Sequence, residues 1–240
     1  MIQIFIFILS LIATTTFAWS EDLIKIDKTE VSIGAFAEFI QATGLKTKAE
    51  QTGGMVYEFG WVVKPNWNWR KPYGFVGHID EPAVHITFDE AQLYCNWRSQ
   101  RLPNKKEWIR YAYKENRNNP SASFIKGKTY LYPTGDGPKG ANCLSECGYN
   151  VGSASRKTTY SKVLFRGSGH TRVGITKEGV NGLFDMGANV WEWAKIDDDT
   201  EQATMGGSWW YGEEQMKAHY RAEKPKDMAA VYIGFRCITD

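Results

Sequence analysis

The chain has 240 residues, 42% of them hydrophobic and 23% charged, an ordinary globular composition, long enough to bury one sizeable core in a single domain. Its 29 basic residues against 27 acidic ones leave a net charge of +2. That field is too weak to make nucleic acid or an anionic membrane the main partner, and the scattered lysines read as a solvated surface.

In chain order, residues 2–18 come first: apolar or hydroxylic apart from Gln3, uncharged, and ending in small residues before Ser20-Glu21-Asp22. This is a signal-peptide pattern, with Thr16 and Ala18 where a signal peptidase reads and cleavage after Ala18. The mature domain then spans 19–240 and is exported, periplasmic or secreted. The competing reading is an uncleaved anchor, the one case that gives the chain a membrane partner. Its strongly apolar part is shorter than the ~20 residues a spanning helix needs.

Residues 32–43 (SIGAFAEFIQAT) set Ala35, Phe36, Phe39 and Ile40 on one face, with Ser32 as N-cap and Gly44 as stop, which predicts an amphipathic helix. Thr87-Phe88-Asp89-Glu90 has the form of a capping box and opens a second helix through about Ser99, carrying Ala91, Tyr94, Cys95 and Trp97. Asn104 to Glu107 repeats the pattern and launches a third through Trp108, Tyr111 and Ala112. From Asn116 to Glu178 the periodicity fails, with only short β-prone pieces such as residues 129–132. A structureless loop of roughly 60 residues is improbable in a compact domain. The stretch therefore predicts short strands and turns held by packing, or by metal ions and disulfides.

Ten tryptophans are unusually many, and several cluster: Trp61, Trp67 and Trp69, then Trp191, Trp193, Trp209 and Trp210. Large rings supply core that short elements cannot; they also line clefts that grip extended peptides. Most are read here as core, one or two as cleft. The four cysteines, Cys95, Cys143, Cys147 and Cys237, are an even set in an exported chain, with three possible pairings. Cys143 and Cys147, four apart, read as a local disulfide; reduced, they could bind copper or shuttle electrons.

GLFDMGANVWEW at 182–193, GGSW at 206–209 and GFRC at 234–237 resemble the formylglycine-generating enzyme, or sulfatase-modifying factor, family. So do residues 26–31, 69–72, 81–86, 94–97, 101–104, 107–108 and 132–136, and the match runs from about Leu23 to Ile238. The resemblance implies an α+β fold, the family's C-type-lectin-like variant, with few helices packed on small antiparallel sheets and little regular structure. It implies a Cys95–Cys237 disulfide, which would stabilise by about 4 to 5 kcal/mol on the chain-entropy relation.

The resemblance also implies sites. Asp185, Ala188, Val190 and Glu192 stand where relatives bind a structural Ca²⁺ through two side chains and two carbonyls, the oxygen donors that ion requires. The alternative is that Asp185 caps a turn and Glu192 makes a buried hydrogen bond without metal. A second calcium site of the family would use Asn142, the Cys143 carbonyl and an Asp before Phe165, where residues 161–164 read SKVL. Catalytic relatives hold copper(I) with two cysteines after GGS; those places read Tyr211 and Met216. A phenol and a thioether cannot replace soft thiolates, so copper is not expected.

Trp191 and Ser208 keep the cleft floor. Tyr211, Met216 and His219 could offer O, S and N donors to another metal, although a lone His more often makes a plain hydrogen bond, and His85 reads as packing. The function this implies is an exported, calcium-stabilised family member whose cleft binds a peptide, a protein segment or a small molecule. The alternative is an oxidoreductase with a different metal or residue set, as in siderophore-maturation relatives. Formylglycine synthesis by Cys143 and Cys147 is the third reading.

Overall fold

The computed structural model describes residues 25–144, 147, 160, 162–220 and 222–240; the signal-peptide segment 2–18 and Ser161 lie outside them. Residues 26–31 form no strand of their own, only an isolated bridge from Ile26 to Ile238. Helix α1 (Ile33–Thr43) opens as its cap predicts, with Ser32 Oγ accepting from the Ala35 N–H at 3.2 Å. It stops at Gly44, which takes φ 68° and returns its N–H to the Ile40 carbonyl, a left-handed closure that favours glycine.

A short helix, α2 (Lys48–Thr52), follows from a capping box the sequence reading passed over, Thr47 with Glu50. Then come β1 (Gly54–Tyr57) and β2 (Trp61–Lys64), an antiparallel hairpin in which Tyr57 faces Trp61. Four residues per strand are too few for alternation to show in a sequence. Helices α3 (Phe88–Trp97) and α4 (Lys105–Tyr113) open with complete capping boxes, Thr87 with Glu90 and Asn104 with Glu107. The first ends two residues early. Ser99 leaves at φ 56° while the Gln100 N–H returns to the Cys95 carbonyl, turning the chain so that Arg101 can pair with Ile238.

The second half carries β3 (Trp191–Ala194), β4 (Glu201–Met205), β5 (Glu223–Pro225) and β6 (Ile233–Gly234), in the sheet order β5-β4-β3-β6. All contacts are antiparallel except β3 with β6. No strand or helix occurs among the described residues of 116–178, and residues 129–132 make only isolated bridges, Thr129 to Lys114 and Tyr132 to Gly135. Single bridges form there because the segment doubles back in tight turns without a long neighbour to pair with.

Both expected disulfides are present, Cys95–Cys237 and Cys143–Cys147. The first ties α3 to the segment after β6 beneath a ring cluster of Phe36, Trp69, Tyr94 and Phe235, whose centroids lie 5.2–6.2 Å apart around Phe36. Such pairs add about 0.5–1.5 kcal/mol each beyond their buried area. Seven of the nine described tryptophans are buried, so these rings are chiefly core.

Candidate functional site: a wound loop and an aromatic cleft

The GLFDMGANV segment is wound tightly enough that Asp185, Ala188 and Asn189 all take positive φ, 59°, 66° and 53°. Left-handed backbone is costly for a residue with a Cβ, so outside contacts must hold the loop. Asn189 supplies most of them. Its amide nitrogen donates to Glu30 Oε2 at 2.6 Å, and its amide oxygen accepts from Asn142 Nδ2 at 3.0 Å and the Thr171 N–H at 2.8 Å. Glu30 Oε1 accepts the Val190 N–H at 3.1 Å.

Around this loop three carboxylates are buried against one cation. Glu30, Asp185, Glu192 and Arg236 are each 5% exposed or less. Arg236 grips Glu192 through two bonds of 2.6 and 2.7 Å, and Trp108 Nε1 donates to the same carboxylate at 2.7 Å. Asp185 accepts from Thr176 Oγ1 at 2.6 Å and from the Gly174 N–H at 2.8 Å. Burial, reinforced by the charges of Asp185 and Glu192, pushes the Glu30 carboxyl well above its ordinary value. Burial also raises the Asp185 carboxyl, against the bonds from Thr176 and Gly174.

Charge by itself would favour a cation beside this loop, but among the described residues no three His, Cys, Asp or Glu side chains are grouped closely enough to hold one. One guanidinium cannot balance three buried carboxylates, and no described turn or side-chain donor reaches the carbonyl oxygens of Ala188 or Val190. Glu192 is the weakest member, because Arg236 already neutralises it. Asn142 spends its amide hydrogens on the Gly169 carbonyl and Asn189.

One residue before Glu192, Trp191 turns to the other side of β3, against Tyr211 and Tyr220 at ring distances of 5.5 and 5.9 Å. Tyr232 lies 6.1 Å from both Tyr211 and Trp210 and 6.0 Å from Trp61. Tyr57 and Trp61 are about two-fifths exposed, and Phe59 at the hairpin tip meets Phe165 at 4.1 Å. These rings form an aromatic wall open to solvent. Burial raises the Tyr211 phenol, against a hydrogen bond with Tyr232, and raises Tyr232 further; both stay protonated at neutral pH and are poor metal ligands.

The expected residues of the cleft do not all converge there. Ser208 is buried, its Oγ accepting the Trp210 N–H at 3.3 Å. Met216 is fully buried beneath Tyr132 and Ala188, with its sulfur 3.5 Å from that of Cys147. His219 is exposed and pairs with Glu214 at 3.0 Å. So Tyr211, Met216 and His219 face three different surroundings and form no common donor set. All four cysteines are in disulfides and none is free. His85 is buried between the Pro72 and Ala229 carbonyls, and burial lowers it to about 4.

Sequence reasoning missed Glu30, Tyr220 and Tyr232. Glu30 stood inside a quoted motif, but nothing in sequence marks a carboxylate whose partners are 159 and 160 residues away.

The sequence profile of the Sulfatase-modifying factor enzyme 1-like domain matches residues 20–240. The chain is 24% identical to the formylglycine-generating enzyme of Bos taurus over 268 residues, 91% of this chain and 66% of that one. It is 25% identical to the inactive C-alpha-formylglycine-generating enzyme 2 of Bos taurus over 234 residues, 84% of this chain and 72% of the relative. In structure it resembles PvdO from Pseudomonas aeruginosa, with a TM-score of 0.59 at 16% identity over 88% of this chain and 78% of the other; that likeness supports the α+β fold.

Proposed function

The chain belongs to the sulfatase-modifying factor enzyme family, and from that premise we propose that it is an exported binding member that lacks the copper-dependent oxidation of cysteine. The carrying observation is the state of its sulfur: every cysteine is in a disulfide, and the positions that the resemblance assigns to the copper thiols are Tyr211, a phenol that burial keeps protonated, and Met216, a buried thioether. One curated relative is itself named inactive. The aromatic wall from Trp191 to Trp61 takes an extended peptide, a protein segment or a small apolar molecule, because flat rings offer area at low entropic cost.

In this reading Ca²⁺ is held by Asp185 and the carbonyls of Ala188 and Val190, with Glu192 as a shared, partly neutralised member. The ion supplies positive charge where the chain has buried a surplus of carboxylates. Export agrees with the two disulfides; among the described residues no helix is long and apolar enough to cross a membrane.

The test incubates the purified protein with a cysteine peptide derived from a sulfatase, under oxygen and with copper(I). Mass spectrometry is expected to return the peptide unchanged, and conversion to formylglycine would overturn the reading. Metal analysis of the same preparation should find calcium and no stoichiometric copper or iron.

A further inference from the structure

The aromatic wall carries a positive charge with no opposite charge beside it among the described residues. Residues 147–177 hold Arg156, Lys157, Lys162, Arg166, Arg172 and Lys177 and no Asp or Glu, so this stretch is basic although the whole chain is nearly balanced. Of these residues Arg166 stands at the wall. Its guanidinium lies 5.8 Å from the centroid of the Trp210 ring, within reach of a cation–π contact, and its charge acts on the Tyr211 phenol against the effect of burial. Arg98, Arg101, Arg117 and Arg236 each hold a carboxylate. Arg166 is exposed and, among the described residues, pairs with none. The carboxylate of the neighbouring hairpin, Glu58, is taken by Lys64 at 2.8 Å.

Local structure fixes where Arg166 sits. Tyr160 stacks on Tyr73 at 3.8 Å and His170 Nδ1 lies 3.0 Å from the Tyr73 hydroxyl, so residues before and after Arg166 are held to one buried ring. Gly167, at φ 71°, passes Trp209 so closely that a Cβ there would lie 2.9 Å from the ring, and Arg166 covers the next ring along, Trp210. A guanidinium can rest on a ring and still present a fork of N–H donors that fits a carboxylate. Rings lead away from Arg166 by two routes, to Phe165 and Phe59 at the hairpin tip, and through Trp210 and Tyr232 to Tyr211 and Trp191. An extended peptide lying across both routes passes Arg166 with its interior and not its end, so the carboxylate it offers is on a side chain.

We propose that the wall selects extended peptides with an Asp or Glu side chain between apolar residues, and that Arg166 reads the carboxylate. The proposal rests on the reading of the wall as a binding surface and adds to it the sign of the ligand's charge.

The test is calorimetric titration of the full chain with two acetylated and amidated peptides, Ser-Phe-Leu-Glu-Phe-Leu-Ser and the same sequence with Gln in place of Glu. At low salt the Glu peptide is expected to bind about tenfold more tightly, a preference that should shrink as salt is added. Arg166→Gln should bring the Glu peptide down to the affinity of its Gln counterpart, Arg166→Lys should keep part of the preference, and Trp61→Ala should weaken both peptides alike. Equal binding of the two peptides by the unaltered protein, or a preference that survives Arg166→Gln, would overturn the proposal and leave the wall as a binding surface. Binding of neither peptide would overturn the wall reading, and the proposal with it. Co-sedimentation with phosphatidylglycerol vesicles that is lost in Arg166→Gln, with no preference between the peptides, would assign Arg166 to a lipid surface and overturn the proposal.

Discussion

Two neighbouring residues of one short strand, Trp191 and Glu192, open onto regions of opposite character. On the Glu192 side every polar group is fixed by several partners: Arg236 and Trp108 on Glu192, Asn189 and Val190 on Glu30, Thr176 and Gly174 on Asp185. On the Trp191 side rings meet at 5–6 Å with few hydrogen bonds and open to solvent through Tyr57 and Trp61. The pleat makes the division, since successive side chains leave opposite faces of a strand. The difference teaches where change is tolerated. Directional, buried bonds admit one arrangement, whereas an aromatic surface can lose a ring and remain a surface.

The largest expected effect is on the polar side. Arg236→Met leaves Glu192 as an unpaired buried charge and should lower stability in urea unfolding by about 3–5 kcal/mol. Adding Glu192→Gln should recover much of that loss, and no recovery would mean that packing, not charge, is what Arg236 provides. Next is the ion: a chelator should lower the melting temperature and calcium restore it, by about 2.7 kcal/mol at a hundredfold excess over its dissociation constant. Asp185 is the charged ligand of the proposed site, so Asp185→Asn should weaken the calcium response.

The calcium-free protein should also respond to pH with a definite sign. Burial holds the folded Glu30 carboxyl well above the ordinary value of 4.5, so the folded chain binds the extra proton. Its contribution is fully present below about pH 4.5 and is lost as pH rises through the folded value, at up to about 1.4 kcal/mol per pH unit. Glu30→Gln should flatten that descent in denaturation curves taken across pH; a slope unchanged by the substitution would remove Glu30 from the account.

Effects on the aromatic side should be smaller in stability and larger in binding. Tyr232→Phe deletes the hydrogen bond with Tyr211 and should cost about 1 kcal/mol. Trp61→Ala, at a ring 44% exposed, should change stability by no more than about 0.5 kcal/mol while weakening a bound peptide in calorimetry. A large stability loss from Trp61→Ala would erase the distinction between the two regions.

The sequence by itself determined the capped helices, because Ser32, Thr87 and Asn104 act on backbone groups within three residues, and such short-range bonds are written in adjacent letters. The family motifs carried the α+β class, and the Cys95–Cys237 link came with them. The reach of Glu30 to Asn189, of Arg236 to Glu192 and of Tyr73 to His170 was decided only by tertiary structure. So were the burial of Met216 against Cys147 and the exposure of His219. The physical reason is that a short bond between distant residues is set by how the intervening chain packs, and wound loops held by side chains have no periodicity that announces them.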